Sequence, residues 1–280
     1  MAEPYDEPAE GPGSPHCFDA AIELRNTGAG TYLGSTTPAY GNVVGPFGGI
    51  TAATLLNAVM QHPGCLGGPL TLTVNYAGPI TPGTFDVAAQ LVRTNRSTQH
   101  WNLALRQNAV VATTATAIFG TRRQSWTVTE ITPPVVPSAQ SIAPAEFSEL
   151  VGWMGSYETR FVSGDLSITQ GPQENSGTTF WINDKRPRAV DYLSLTALSD
   201  ACVPRVMQRL GRFVPAATIS LTVYFHAEST QVAKQADRPV LATARAHHFG
   251  SGLCDQTLRL WSDDSTLLVT GHQLVSFRAE

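Results

Sequence analysis

Apolar residues along this chain follow two periods, and those periods recur in the same order twice. Near the start, residues 18–24 and 30–34 predict short strands. A glycine-rich turn, Gly45-Pro46-Phe47-Gly48-Gly49, then leads into ITAATLLNAVMQ, an Ala/Leu-rich run closed by His62-Pro63-Gly64. That run predicts a buried helix over 49–61. Alternating patterns follow at 70–76, 85–93, 100–107 and 109–119, with turn residues at Pro82-Gly83, Asn95-Arg96-Ser97 and Gln107-Asn108. The second half begins with strand patterns at 155–162 and 178–182. A helical pattern covers 192–207, and strands follow at 217–226, 240–248, 252–261 and 266–277.

The two halves also echo in sequence. Val59-Met60-Gln61 and Val206-Met207-Gln208 end the two helices, and Leu72-Thr73-Val74 and Leu221-Thr222-Val223 occupy the strands after them. Their order and near-equal offset predict an internal duplication. Each unit then holds one long apolar helix followed by a run of antiparallel strands, and such a helix must be wrapped by its sheet. The expected fold is α+β, a double hotdog in which each curved sheet surrounds a central helix. The division is an acidic tail at 1–16, an N-terminal hotdog at 17–121, a linker at 122–145 carrying Pro133, Pro134, Pro137 and Pro144, and a C-terminal hotdog at 146–280.

Three polar residues break the apolar patterns of the second half. Counting by three and four from Asp200 meets Leu193, Thr196, Ala197, Val203 and Met207, with Ser194, Arg205 and Arg209 on the other side. A carboxylate on a core-facing stripe is costly unless paired or held for chemistry. On the strand after it, Ile219, Leu221, Val223 and Phe225 are expected on one face and Thr218, Ser220 and Thr222 on the other. On the last strand Gln273 shares a face with Leu267, Val269, Val275 and Phe277, and its amide needs a partner there. The repeat supplies a comparison. Counterparts of Asp200 (53–56), Thr218 (near Pro69) and Gln273 (Ala115 or Thr116) carry no matching set. A purely structural role would be needed in both halves, so the asymmetry points to one active site per chain.

Composition narrows the function. The chain has 280 residues, 42% hydrophobic and 14% charged, with a formal net charge of -4 and no basic run. That argues against a nucleic-acid partner. No stretch approaches the roughly 18 apolar residues of a membrane span. The first sixteen residues are acidic and proline-rich, unlike a signal peptide, and read as disordered. Cys17, Cys65, Cys202 and Cys254 are scattered, and none of the seven histidines has metal-ligand spacing, so neither a disulfide framework nor a metal site is expected. Free thiols suit a cytoplasmic protein.

The second half resembles the C-terminal part of the acyl-CoA thioesterase II family, the double-hotdog thioesterases. The resemblance rests on Ser199-Asp200 on the helix, and on Ala217-Thr218-Ile219 followed by Tyr224-Phe225-His226, similar to the family's A-T-I-x-x-x-x-W-F-H run. It rests too on Gln273, six residues after Leu267 and nine after Asp264. Phe47-Gly48-Gly49 matches the start of the first-half helix, and the resemblance extends over 18–280. Tyr224 replaces a Trp, and Leu274-Val275-Ser276 replaces a more polar segment; both departures bear on acyl-chain preference.

The resemblance implies acyl-CoA hydrolysis without cofactor or metal. Asp200 would accept a proton from the attacking water, with Thr218 and Gln273 holding that water. The oxyanion needs backbone N–H groups, and Gly48 and Gly49 at a helix start are the candidates. Chains would be able to pair into homo-oligomers through sheet edges. Two alternatives stay open: a hotdog enoyl-CoA hydratase using Asp200 with His226, and a non-catalytic acyl-CoA or lipid-binding protein.

Overall fold

The structure, a computed structural model, describes residues 14–147, 151–165 and 171–279; most of the acidic N-terminal tail lies outside them. The first half gives α1 (Cys17–Ala21), β1 (Arg25–Gly28), β2 (Thr31–Ser35), α2 (Gly48–Met60), β3 (Gly68–Tyr76), β4 (Thr84–Thr94), β5 (Thr98–Gln107) and β6 (Val110–Gly120). The second gives α3 (Gly152–Gly155), β7 (Tyr157–Ser163), β8 (Thr178–Asp184), α4 (Tyr192–Leu198), α5 (Arg205–Leu210) and β9 (Ala216–Phe225). After these come α6 (Ser229–Gln235), β10 (Val240–Arg245), β11 (Phe249–Gly250), β12 (Leu253–Trp261) and β13 (Leu267–Phe277).

The sheet order is β1-β2-β4-β5-β6-β3-β9-β13-β12-β10-β8-β7, with β11 beside β12. Read outward from its centre, this is the same arrangement twice, joined where β3 meets β9. Register at that joint shows the duplication directly. Thr73 pairs with Thr222, Leu72 with Val223 and Val74 with Leu221. One constant offset of 149 residues turns each pair into another or into itself, as a pseudo-two-fold axis requires. Thr73 and Thr222 sit on that axis, their hydroxyls 3.1 Å apart.

One continuous apolar core runs through both halves, with α2 and α4 inside the sheet. Eleven of the thirteen residues of α2 and all seven of α4 are buried. A helix apolar on all sides is stable only when enclosed, so this is a double hotdog. Asp191 opens α4 with a capping box, accepting from the Ser194 N–H at 2.8 Å while its own N–H donates to the Ser194 hydroxyl. The two helices touch at Gly49, where an added Cβ would meet the Ala197 carbonyl oxygen inside contact distance. Substituting Gly49→Ala must push the helices apart. The expected result is a loss of about 1–3 kcal/mol in urea unfolding, the usual range for overpacking a core contact.

Two sequence expectations need correction. Residues 18–24 do not form a strand: Phe18, Ala21 and Ile22 are buried, a helical spacing, and the His16 ring accepts the Phe18 N–H at 3.1 Å to start α1. The 192–207 helix is two helices separated by residues 199–204. Pro204 is the reason, since it has no N–H to donate and disfavours helical backbone at Val203. In consequence Arg205 does not lie on an outer face; it is buried. Part of the 122–145 segment packs as a strap on the second-half sheet. Around Ala139 it covers Trp181, Leu241 and Trp261 on the outside of the second-half sheet, and the Trp181 indole donates to the Pro137 carbonyl at 3.0 Å.

Candidate functional site

The break after α4 puts Asp200 in the turn just beyond the helix, held by its N–H to the Ala197 carbonyl at 3.0 Å. There it faces the start of α2, from the other half of the chain. A Cβ added at Gly48 would lie 2.6 Å from Asp200 Oδ2, so the carboxylate rests directly on the glycine backbone. No side chain caps α2. Asp200 faces those free N–H groups across the junction, where the helix dipole favours an anion.

Gln273 reaches the other carboxylate oxygen. Its Nε2 donates to Asp200 Oδ1 at 2.6 Å and lies 3.4 Å from the Ser199 carbonyl. Gln273 Oε1 accepts from Gln256 Nε2 at 2.5 Å, and Gln256 Oε1 accepts from the backbone N–H of Arg205 at 3.1 Å. This relay fixes the amide orientation: with its oxygen occupied by a donor, Gln273 can present only N–H to Asp200.

Burial dominates the electrostatics of Asp200 and raises its pKa to about 7; the Gln273 amide and the Gly49 N–H oppose that rise. Tyr76 completes the surround. Its hydroxyl donates to the Gly48 carbonyl at 2.8 Å, and burial followed by the Asp200 charge pushes its pKa up. Among the described residues, no group of three His, Cys, Asp or Glu side chains is placed to hold a metal ion.

Thr218 arrives by a different route from the one its alternation predicts. Opposite β13, Ser220 pairs with Leu274 but Thr218 pairs with Val275, leaving Ile219 as the extra residue of a bulge. The bulge turns Ile219 out, 38% exposed, and brings Thr218 onto the inner face that carries Gln273 and Val275. Diagonal neighbours of this kind stand roughly 7 Å apart, room for one water between their side chains.

The structure thus brings Asp200 and Gln273 into contact, sets Thr218 on the same face, and places Gly48 and Gly49 beneath the carboxylate. It does not bring His226 to Asp200. The His226 ring lies 2.9 Å from the Thr270 hydroxyl, on the face of β13 opposite Gly271 and Gln273. An Asp200–His226 acid–base pair is therefore set aside.

Register also refines the repeat. With the offset of the β3–β9 joint, the counterpart of Gln273 is Ala117, not Ala115 or Thr116, and that of Thr218 is Pro69. Neither carries a polar side chain.

Gln256 and Tyr76 were not among the expected site residues. For Gln256 a signal existed: Cys254, Gln256, Leu258 and Leu260 alternate on one buried face of β12, so Gln256 interrupts an apolar face as Gln273 does. Tyr76 gives none, since a tyrosine at a strand end is ordinary.

Two families of domain match the chain in sequence: the acyl-CoA thioesterase N-terminal domain over residues 36–120 and the acyl-CoA thioesterase C-terminal domain over 132–277. No curated protein matches it in sequence. Among solved structures, a conserved hot dog protein of unknown function from Alicyclobacillus acidocaldarius is 42% identical, with a TM-score of 0.92 over 95% of this chain and 100% of that one. An acyl-CoA thioesterase II, TesB2, from Mycobacterium marinum is 16% identical, with a TM-score of 0.74 over 94% and 99%. A tesB protein of Mycobacterium avium subspecies paratuberculosis is also 16% identical, with a TM-score of 0.75 over 94% and 98%. At that identity the last two share the fold.

Proposed function

The chain belongs to the acyl-CoA thioesterase family, matched in both its N-terminal and C-terminal domains, and from that premise we propose that it hydrolyses acyl-CoA thioesters by attack of a water that Asp200 activates. One observation carries the reading: a buried carboxylate poised near neutrality, gripped by an oriented glutamine and seated on a helix start.

The residues divide the work as follows. Asp200 Oδ1 is occupied by Gln273, so Oδ2 is the oxygen that meets water. Thr218 and Gln273 flank that water and aim it at the thioester carbonyl carbon. As the C–O bond forms, the water proton passes to Asp200 and the carbonyl oxygen takes up negative charge. The first N–H groups of α2, at Gly48 and Gly49, stabilise that oxyanion together with the helix dipole. Gly49 has a second task, because its N–H also favours the Asp200 anion. The C–S bond then breaks, CoA leaves as thiolate, and the proton on Asp200 returns to it. No other group is needed to balance the step. The carboxylate lies in one half and the helix start in the other, so a chain with one set supports one site.

Release of free CoA thiol from a panel of acyl-CoAs, short to long, tests the reading. Hydrolysis is expected, with kcat/KM rising through about pH 7 as Asp200 ionises, because only the carboxylate can accept the proton. No thiol release from any acyl-CoA, alongside measurable binding, would make the protein a binder instead of an enzyme.

A further inference from the structure

Beside the turn that carries Asp200, a partly open pocket holds about 390 Å³ of atom-free space, part of it continuous with solvent. Ala201 and Cys202, the residues after Asp200, form one wall, and Trp153, Phe161 and Phe180 form others. An acyl chain whose carbonyl sits at Asp200 has this cavity beside it.

The wall also carries two polar side chains that an all-hydrocarbon chain would leave unused. Arg205 lines the cavity and is 2% exposed. Its Nε and Nη2 donate to the Val203 carbonyl at 2.9 and 2.7 Å, and its Nη1 to the Thr178 hydroxyl at 2.6 Å and the Ser176 carbonyl at 3.3 Å. All these acceptors are neutral. Among the described residues no carboxylate pairs with Arg205. Five N–H groups meet four contacts, so one Nη2 N–H is left over. Gln208, three residues on and so on the same face of α5, lines the same cavity at 4% exposed. Its side chain makes no hydrogen bond among the described residues. A structural clamp accounts for the bonds Arg205 makes. It does not account for a buried cation without a counter-charge, which is costly in an apolar wall.

We propose that this cavity takes acyl chains ending in a carboxylate, so that the preferred substrates are mono-CoA thioesters of dicarboxylic acids. The distal carboxylate accepts from the spare Arg205 N–H and from the Gln208 amide, and it supplies the missing charge. This specificity rests on the thioesterase reading above.

The experiment compares matched pairs of equal length, adipoyl-CoA with hexanoyl-CoA and suberoyl-CoA with octanoyl-CoA, by CoA thiol release. The wild type is expected to favour the carboxylate-ended member at least tenfold in kcat/KM for one length or more. Arg205→Met, which keeps the backbone N–H that Gln256 uses, is expected to reverse the preference, and Gln208→Leu to weaken it. A wild type that favours the methyl-ended member at both lengths overturns the proposal and leaves the thioesterase reading intact. Should no thioester be cleaved, the thioesterase reading fails, and binding decides the cavity separately. Adipate or suberate must then raise the wild-type Tm where hexanoate and octanoate do not; equal effects sink the proposal.

Discussion

Asp200→Asn is expected to lower kcat by about 10³ and, above neutral pH, to make the protein more stable. The first effect follows from the loss of the proton acceptor, since general-base contributions are typically 10²–10⁴-fold. The second follows from where the carboxylate sits. Burial raises its folded pKa to about 7, from 3.8 in its ordinary state. Between those values the folded chain binds a proton that the unfolded chain has released. Stability therefore falls as pH rises from about 4 to about 7, and the full penalty persists above that.

A rise of that size corresponds to about 4 kcal/mol at most. Asparagine avoids this charge penalty but offers one acceptor oxygen where the carboxylate offers two. Gln273 and the Gly49 N–H must then share it, returning about 1–3 kcal/mol. The net expectation at pH 8 is a Tm a few degrees above wild type, turning into a small deficit near pH 4, where the charge penalty is gone and the lost acceptor remains. Thermal unfolding at both pH values, paired with thiol release, checks both halves of the prediction. A variant that hydrolyses at the wild-type rate would make Asp200 a structural residue. An unchanged Tm difference across the pH range would mean its carboxylate is not strained by burial.

The same opposition between local pattern and tertiary placement explains what could be read from the chain alone. The duplication was legible because symmetric strands must carry similar residues where they pair; Thr73 and Thr222 meet at the axis for that reason. Asp200 and Gln273 were legible because each interrupts an apolar periodicity, and a buried polar group needs a partner. That they are each other's partner could not be read, because 73 residues separate them in sequence. Alternation around Thr218 misled for a local reason. A bulge at Ile219 reverses the in–out order, and nothing in A-T-I-S-L announces it. The long helix carries its own contrary signal, since Pro204 stands inside 192–207. That break frees Asp200 from helical geometry and lets it face α2. On an unbroken helix Arg205 counts to the side away from the apolar stripe, and only the broken one buries it.

Two adjacent glycines at the head of α2 should respond to the same substitution in opposite ways. Gly49→Ala is expected to weaken the fold, because its Cβ meets the Ala197 backbone. At Gly48 the new Cβ would meet Asp200 Oδ2 at 2.6 Å and the Tyr76 ring and hydroxyl at 3.2–3.3 Å. Those neighbours are ends of side chains and can give way without moving backbone, Asp200 Oδ2 by roughly 0.8 Å to reach ordinary contact. Alanine is also the better helix former, by about 1 kcal/mol within a helix. Gly48→Ala should therefore fold with stability close to wild type.

Its activity should not survive. The displaced atom is the carboxylate oxygen assigned to the water, and misplacing a reacting group by about 1 Å can cost 10²-fold in rate. The expected outcome is a kcat about 10² below wild type, with an unfolding transition within about 1 kcal/mol of it. Loss of both fold and rate would mean that Gly48 serves packing, as Gly49 does. Full activity would place the reacting water away from Oδ2, on the far side of the carboxylate, and would remove the α2 N-terminus from the mechanism.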